Sequence, residues 1–237
     1  MLTNYAFATF CFGDRYRKQT NRLIDSLQSL NNQNILFVVT DDENQIKKLP
    51  WVKTKNIKEL NPKYSDYNKN YYDFDFSVKR YSLRFALEND FEKIILIDTD
   101  VVPGTRFSLS NLENCFVDNS IVGPVIYNFN NELQNGSELG KRFMYYEKKF
   151  NVTFDKSNLW MPEDCIQFIS IKKNSFESFL NVWDKLIEIK YENNLLNVPA
   201  GNIDEMCFSA LLNGISLSNN DDKTLNVLTP QHEIWYR

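Results

Sequence analysis

The 237-residue chain has one histidine, four cysteines, seven glycines and seven prolines, and its formal charge is only −4 (27 Lys plus Arg against 31 Asp plus Glu). Each shortage excludes something. With no strong positive field, binding to nucleic acid or an anionic membrane needs a local patch rather than the whole surface, and neither is expected. Cys11, Cys115, Cys165 and Cys207 are scattered with no C-x-x-C spacing, which suits neither a zinc site nor a disulfide scaffold, so they read as buried thiols. No Pro/Gly/Ser-rich linker, repeat or low-complexity stretch divides the sequence, which favours one domain over residues 1–237. No apolar run approaches the ~20 residues of a membrane span. The opening Met1-Leu-Thr-Asn-Tyr-Ala-Phe-Ala lacks the basic region and cleavage site of a secretory signal, and reads as the approach to a first strand. A cytoplasmic location is the expectation, and Asn135-Gly-Ser and Asn151-Val-Thr then read as chance matches to the glycosylation triplet.

What is present is 43% hydrophobic and 24% charged, the balance of a globular protein with a sizeable core. Tyr5 to Phe12 is an aromatic-rich strand, and from Arg17 to Leu30 the residues Leu23, Ile24, Leu27 and Leu30 recur at helical spacing. Asn31-Asn32-Gln33-Asn34 turns the chain into Ile35 to Thr40, a continuous apolar run suited to a strand covered on both faces. Strand, helix and strand in that order imply a parallel pair. Asp75 to Asn89 reads as a helix with Val78, Leu83, Phe85 and Leu87 as packing residues, and Lys93 to Asp98 is the most strand-like run of all, fit for the middle of a sheet. Later the pattern turns mixed. Strands are expected at Ser120–Phe129, Cys165–Lys172, Ile215–Ser218 and Leu225–Leu228, and helices at Glu138–Phe150, Asn174–Asn193 and Ile203–Leu212. The sum is an α/β fold: a central, mostly parallel mixed sheet flanked by helices.

Chemistry concentrates in Ile94-Ile-Leu-Ile-Asp98-Thr99-Asp100. In an extended chain, residues i and i+2 point the same way, so the strand would deliver both carboxylates to one side of its carboxyl end, where open α/β sheets form their sites. Two hard oxygen donors there can hold Mg²⁺ or Mn²⁺, and the cation in turn can bind phosphate oxygens of a nucleotide. A polar turn after a strand is the plainer alternative. Lys79, Arg80 and Arg84 lie on the helix leading into this strand, and a cation there can meet a diphosphate whose leaving group develops charge. Tyr64 to Phe76, dense in Tyr, Asp and Asn, reads as a loop with rings to stack on a sugar or base. Asp41 and Asp42 close the second strand, as turn residues or as contacts to a nucleoside.

With these residues in order, the sequence resembles glycosyltransferases of the GT-A type, nearest in pattern to the glycogenin-like and galactosyltransferase-like families that use nucleotide-sugar donors. The resemblance implies a Rossmann-like domain with a nucleotide-binding half at 1–103 and an acceptor-binding half at 104–237. It implies donor contacts from Thr9, Phe10, Cys11 and Gly13 at the first strand end, from Lys79 or Arg84, and from Asp98 and Thr99. Asp98, Asp100 and His232 would be the metal ligands, with Mn²⁺ or Mg²⁺ as the cofactor. Imidazole beside two carboxylates favours Mn²⁺ or a similar ion. Asp204 and Glu205, after Asn202-Ile203, would be the catalytic acids, though carboxylates in a first helical turn are also ordinary dipole partners; Glu163 and Asp164 are a second choice. A UDP-sugar is the implied donor, and a glycan, protein or lipid hydroxyl the acceptor. One departure stands out: the family's terminal His usually precedes a Gly and a Lys-Pro-Trp-like stretch, whereas here Glu233-Ile-Trp-Tyr-Arg237 follows, leaving Arg237 as a replacement cation. Two other readings use the same residues. Asp98 and Asp100 also resemble the nucleophile and acid/base of haloacid-dehalogenase-type phosphatases, with Asp221 and Asp222 as a loose later pair, and a nucleotide-sugar-binding module without turnover keeps the fold alone.

Overall fold

The structure, a computed structural model, describes residues 5–60, 79–89, 91 and 93–103, together with Leu180 and five later strands. β1 (Tyr5–Cys11) is buried along its whole length. Its odd-numbered residues Tyr5, Phe7 and Cys11 join one core cluster, while Phe10 and Phe12 join another, as period-two alternation requires of a strand covered on both faces. α1 (Gly13–Ser29) follows, four residues earlier than its apolar spacing announces, because its first turn is polar and exposed. Leu23, Ile24 and Leu27 form its buried stripe against β1. The helix ends in a Schellman arrangement: Asn31 takes a left-handed φ of 55°, its N–H donates to the Gln28 carbonyl, and the Asn32 N–H donates to Leu27. The expected asparagine turn is therefore a helix stop with a defined geometry.

β2 (Leu36–Thr40) runs parallel to β1, with Thr9 opposite Val38. After a short 3₁₀ turn at Glu43–Gln45 comes β3 (Val52–Asn56), parallel to β2, and then the single turn α2 (Ile57–Leu60). β3 was not expected from the sequence. It is an edge strand in which only Val52 is buried, and Val-Lys-Thr-Lys-Asn lacks the apolar signature because one edge and much of one face meet water. α3 (Lys79–Leu87) leads to β4 (Lys93–Ile97), which returns to the other side of β1 and pairs with it in parallel, Ala6 opposite Ile94. The two faces are then covered by different helices. Ile95 and Ile97 pack with the α1 cluster, whereas Phe37 meets Phe85 of α3 edge-on at 5.0 Å.

Beyond β4 the sheet becomes mixed. β5 (Val102–Pro103) follows β4 after a four-residue stretch, and β6 (Ile121–Asn128), β7 (Trp160–Pro162), β8 (Phe168–Lys172), β9 (Leu225–Leu228) and β10 (Trp235–Tyr236) complete the described strands. β8 is antiparallel to β4 and to β6, and β9 is parallel to β6. The order is β3-β2-β1-β4-β8-β6-β7 with β9 also on β6, eight strands in which segments from before and after residue 103 share one sheet. This is the expected α/β class with a mostly parallel mixed sheet. Neither β7 nor β10 was anticipated; strands of three and two residues are too short for periodicity to register. The helices expected at 138–150, 174–193 and 203–212 and the strand at 215–218 lie outside the described residues, apart from the buried Leu180.

Candidate functional site at the switch point of the sheet

The strand order itself locates a crevice. The chain builds outward from β1 to β2 and β3, then crosses back to lay β4 on the opposite flank of β1, so connections leave the carboxyl ends of β1 and β4 in opposite directions. Two segments meet there: the Phe12-Gly13 turn after β1 and the Asp98-Thr99-Asp100 stretch after β4.

The second of these is a turn rather than extended chain. The Val101 N–H donates to the Asp98 carbonyl at 3.3 Å, closing a four-residue turn with Thr99 and Asp100 in its centre. The expectation that both carboxylates leave the strand side by side holds only while the chain stays pleated, and the pleat ends at Asp98. Up to that point alternation is kept. Ile95 and Ile97 face α1, so Asp98 falls on the α3 side, where its Oδ1 lies 2.7 Å from Nζ of Lys79. Thr99 falls on the α1 side, buried to 7% exposure, and its hydroxyl donates to Oε1 of Gln19 at 3.2 Å. From the same helix, one turn on, Nη2 of Arg22 donates to the Asp100 carbonyl at 3.2 Å. The turn is gripped from both faces of the sheet.

Lys79 is the described cation that pairs with a carboxylate of the motif. Its side chain is 7% exposed and that of Asp98 is 18% exposed, so the pair is largely out of water. A buried ammonium is strongly unfavourable without a counter-charge, and Asp98 supplies one to Lys79 as well as being a candidate ligand. Arg80 lies over the ring of Tyr81 at 4.7 Å, and Arg84 is half-buried further along α3.

At the end of β1 the side chains of Thr9, Phe10 and Cys11 belong to the core, at 0%, 6% and 0% exposure. Burial raises the Cys11 thiol above its ordinary pKa, keeping it protonated. The stretch is followed by the Phe12-Gly13 turn, with Gly13 in a left-handed conformation at φ 76° that glycine adopts without strain. Asp41 fixes that turn. Its Oδ2 accepts the Gly13 N–H at 3.0 Å and its Oδ1 accepts from Nη1 of Arg17 at 2.7 Å, holding the guanidinium pKa above its usual value. Asp42 is likewise engaged, its Oδ1 accepting the Asn44 N–H at 3.0 Å and its Oδ2 accepting from Gln45. Both acids of the second strand end therefore serve the fold.

Gln19, Arg22 and Arg17 were missed by sequence reasoning. One of them left a signal: Gln19, four residues before Leu23, continues the line of the buried α1 stripe, so a polar side chain there had to find a partner inside.

The carboxyl-terminal segment also reaches this region. β10 pairs antiparallel with β5, Tyr236 opposite Val102 and Trp235 opposite Pro103, which carries the tail alongside the chain that leaves Asp100. His232, Arg237, Asp204, Glu205, Glu163, Asp164, Asp221 and Asp222, and the loop from Tyr64 to Phe76, lie outside the described residues. Among the described residues no cluster of three His, Cys, Asp or Glu forms, and no helix is long and apolar enough to cross a membrane.

A parallel-stranded α/β unit with two acids and a buried ammonium at its switch point is the class that fold and site define. No family model matches the sequence, and no curated protein is found to match it. Among solved structures it is similar to the apo structure of WbbM, a bifunctional glycosyltransferase, at 13% identity and a TM-score of 0.46. That likeness covers 77% of this chain and 35% of the other, so the chain spans about a third of the length of the protein it is compared with.

Proposed function

We propose that the chain is a metal-dependent glycosyltransferase that moves a sugar from a nucleotide-sugar donor, a UDP-sugar by the resemblance of its motifs, to an acceptor hydroxyl. The observation that carries this reading is the delivery of Asp98-Thr99-Asp100 to the carboxyl end of β4 at the switch point beside β1, with Lys79 at 2.7 Å.

The donor set fits Mn²⁺ or Mg²⁺ in kind. The carboxylates of Asp98 and Asp100 are the hard oxygen donors that such ions prefer. His232 is assigned as the third ligand, an assignment helped by the pairing of β10 with β5, which brings Trp235, three residues on, beside Pro103. When bound, such an ion neutralises charge that develops on the departing diphosphate. In this reading Lys79 supplies a further positive charge to that diphosphate, with Arg84 as the alternative. The Phe12-Gly13 backbone borders the nucleoside, behind the side chains of Thr9, Phe10 and Cys11, and Thr99 holds the turn. Asp204 and Glu205 are assigned to the acceptor side, where one carboxylate takes the proton of the acceptor hydroxyl.

The experiment is release of nucleoside diphosphate from a panel of nucleotide sugars with Mn²⁺, Mg²⁺ or EDTA. The expected result is metal-dependent release from one donor, lost by two orders of magnitude or more in Asp100→Asn while the variant keeps its fold. Absence of release and of metal-dependent donor binding, with hydrolysis of a phosphomonoester instead, would overturn the proposal in favour of the phosphatase reading.

A further inference from the structure

The overall charge of −4 leaves any attraction to an anionic surface to a local patch, and the structure gathers one at the outer edge of the sheet. From Ile46 to Lys58 the chain holds five lysines and no Asp, Glu or Arg. A tight turn lies in the middle of this run. The Val52 N–H donates to the Leu49 carbonyl at 2.9 Å, so that Leu49-Pro50-Trp51 turns into β3, the terminal strand of the described order. Lys47 and Lys48 precede the turn and Lys53 follows it, all three exposed, and Lys58 is exposed on α2. Pro50 is exposed between them, while Leu49 and Trp51 are half-buried against the α1 cluster. Two of the five lysines are neutralised locally, Lys47 by Asp25 and Lys55 by Glu88 at 2.8 Å. Lys48 reaches the Thr54 hydroxyl at 3.4 Å, and among the described residues Lys48, Lys53 and Lys58 form no ion pair. The flanking acids are spent on the fold: Glu43 accepts the Thr54 hydroxyl at 2.7 Å, and Glu59 accepts the Asn56 N–H at 3.3 Å. Lysines on an edge strand blunt its pairing with another sheet, which accounts for Lys53 and Lys55 of β3. It does not account for Lys48 and Lys58, which lie off the strand.

We propose that this edge is a docking surface for an anionic membrane, with lipid headgroups meeting Lys48, Lys53 and Lys58 and the Leu49-Pro50-Trp51 turn seated at headgroup level. Charge complementarity is the first argument: lysines with no carboxylate partner attract a negatively charged leaflet, each by an amount that adds to the next. The second is the choice of cation. Arginine, with its planar fork, is the residue for bidentate recognition of phosphate and nucleic acid, and this run has none, whereas lysine acts as a point charge on a flexible stem and needs no fixed geometry from its partner. The third is the turn itself. A partly exposed tryptophan beside proline and leucine, set among lysines, matches the mixed apolar and charged character of the membrane interface. β3 is two strands away from β1, so the edge is separate from the switch-point crevice, and the proposal does not depend on which reaction the crevice performs.

The test is co-sedimentation with vesicles of phosphatidylcholine, plain or with about one third phosphatidylglycerol, at low salt and at about 0.5 M NaCl. The wild type is expected to bind the anionic vesicles at low salt, to leave them at high salt and to ignore the neutral ones. Lys48→Gln, Lys53→Gln and Lys58→Gln combined alter only exposed side chains, and circular dichroism checks that the fold is kept. The triple variant should bind about a hundredfold more weakly, each lysine near an anionic surface being worth about fivefold. Arg15→Gln with Lys18→Gln, which removes two exposed charges from α1 instead, should change binding by no more than about twofold. Failure to bind anionic vesicles, equal binding to neutral ones, or a triple variant that binds as the wild type does overturns the proposal. Tighter binding to a mixed-sequence oligonucleotide, lost in the same variant, would assign the edge to nucleic acid instead. A measurement on the wild type needs no variant to fold: amides in peptides spanning residues 47–58 should exchange hydrogen more slowly on anionic vesicles than in solution, and unchanged exchange refutes docking by this edge. Release of nucleoside diphosphate in free solution should be the same for the wild type and the triple variant, so the glycosyltransferase reading and the membrane proposal fail separately.

Discussion

Asp41→Ala removes one side chain that ties three segments together. Its two oxygens hold the Gly13 N–H at 3.0 Å and the Arg17 guanidinium at 2.7 Å, so the end of β2 fixes both the turn after β1 and the first turns of α1. The side chains of Arg17 and Asp41 are 12% and 27% exposed, which places the pair between two regimes. Exposed ion pairs contribute up to about 1 kcal/mol, and breaking a buried one costs about 3 to 5 kcal/mol because a charge is left behind. Nε of Arg17 keeps its bond to Gln45 at 3.1 Å, so the guanidinium is not wholly stranded. An intermediate loss of about 2 to 3 kcal/mol is expected, the Gly13 N–H included, which corresponds to about 5 to 10 °C in Tm for a chain of this size. Asp41→Asn retains an acceptor for Gly13 but not the charge, and should lose about half as much. Thermal and urea unfolding followed by circular dichroism measure both, and a double-mutant cycle with Arg17→Met isolates the pair. If Asp41→Ala unfolds within about 0.5 kcal/mol of the wild type, the clasp contributes nothing and the reasoning from its burial is wrong.

Two further outcomes follow from burial. Phe37 is 2% exposed and packs edge-on against Phe85 at 5.0 Å and Phe91 at 5.7 Å, so Phe37→Ala should lose about 3 to 5 kcal/mol in urea denaturation, and a loss below about 1 kcal/mol would mean that the α3 face repacks. Desolvation raises the Cys11 thiol above its ordinary value of 9.0, so in the folded protein it should resist iodoacetamide at pH 8 and react after denaturation, as peptide mass spectrometry will show. The same shift has a sign for stability. Above about pH 9 the unfolded chain ionises this thiol and the folded one does not, so Cys11 lowers stability as pH rises past that value and has no effect well below it. Cys11→Ala should therefore flatten the alkaline limb of a stability profile against pH; an unchanged limb would refute it.

How far the sequence could be read depended on how far apart the interacting residues lie. β1, β2 and β4 announced themselves because a strand covered on both faces must be apolar along its length, and α1 because Leu23, Ile24 and Leu27 leave a stripe that has to be buried. The helix stop at Asn31 was equally local. β3 stayed hidden because an edge strand with Lys53 and Lys55 has no such obligation, and β10 because two residues have no period. Within the site, the position of Asp98-Thr99-Asp100 at a strand end was legible, and its geometry was not. A turn hydrogen bond from Val101 decides that Thr99 and Asp100 leave the pleat.

Local composition thus determined β1, β2 and β4, the first helix and the carboxylates at the end of β4, since burial and backbone pairing act on neighbours in the chain. Tertiary structure alone decided that β4 lies beside β1, and with it that Lys79 meets Asp98, Gln19 meets Thr99 and Arg22 meets the Asp100 carbonyl. Those partners are brought together by strand order and by the burial of α1 and α3 on opposite faces of the sheet. No period in the sequence encodes such contacts, because charge and hydrogen bonding act through space and the crossover from β3 back to β4 sets which residues share that space.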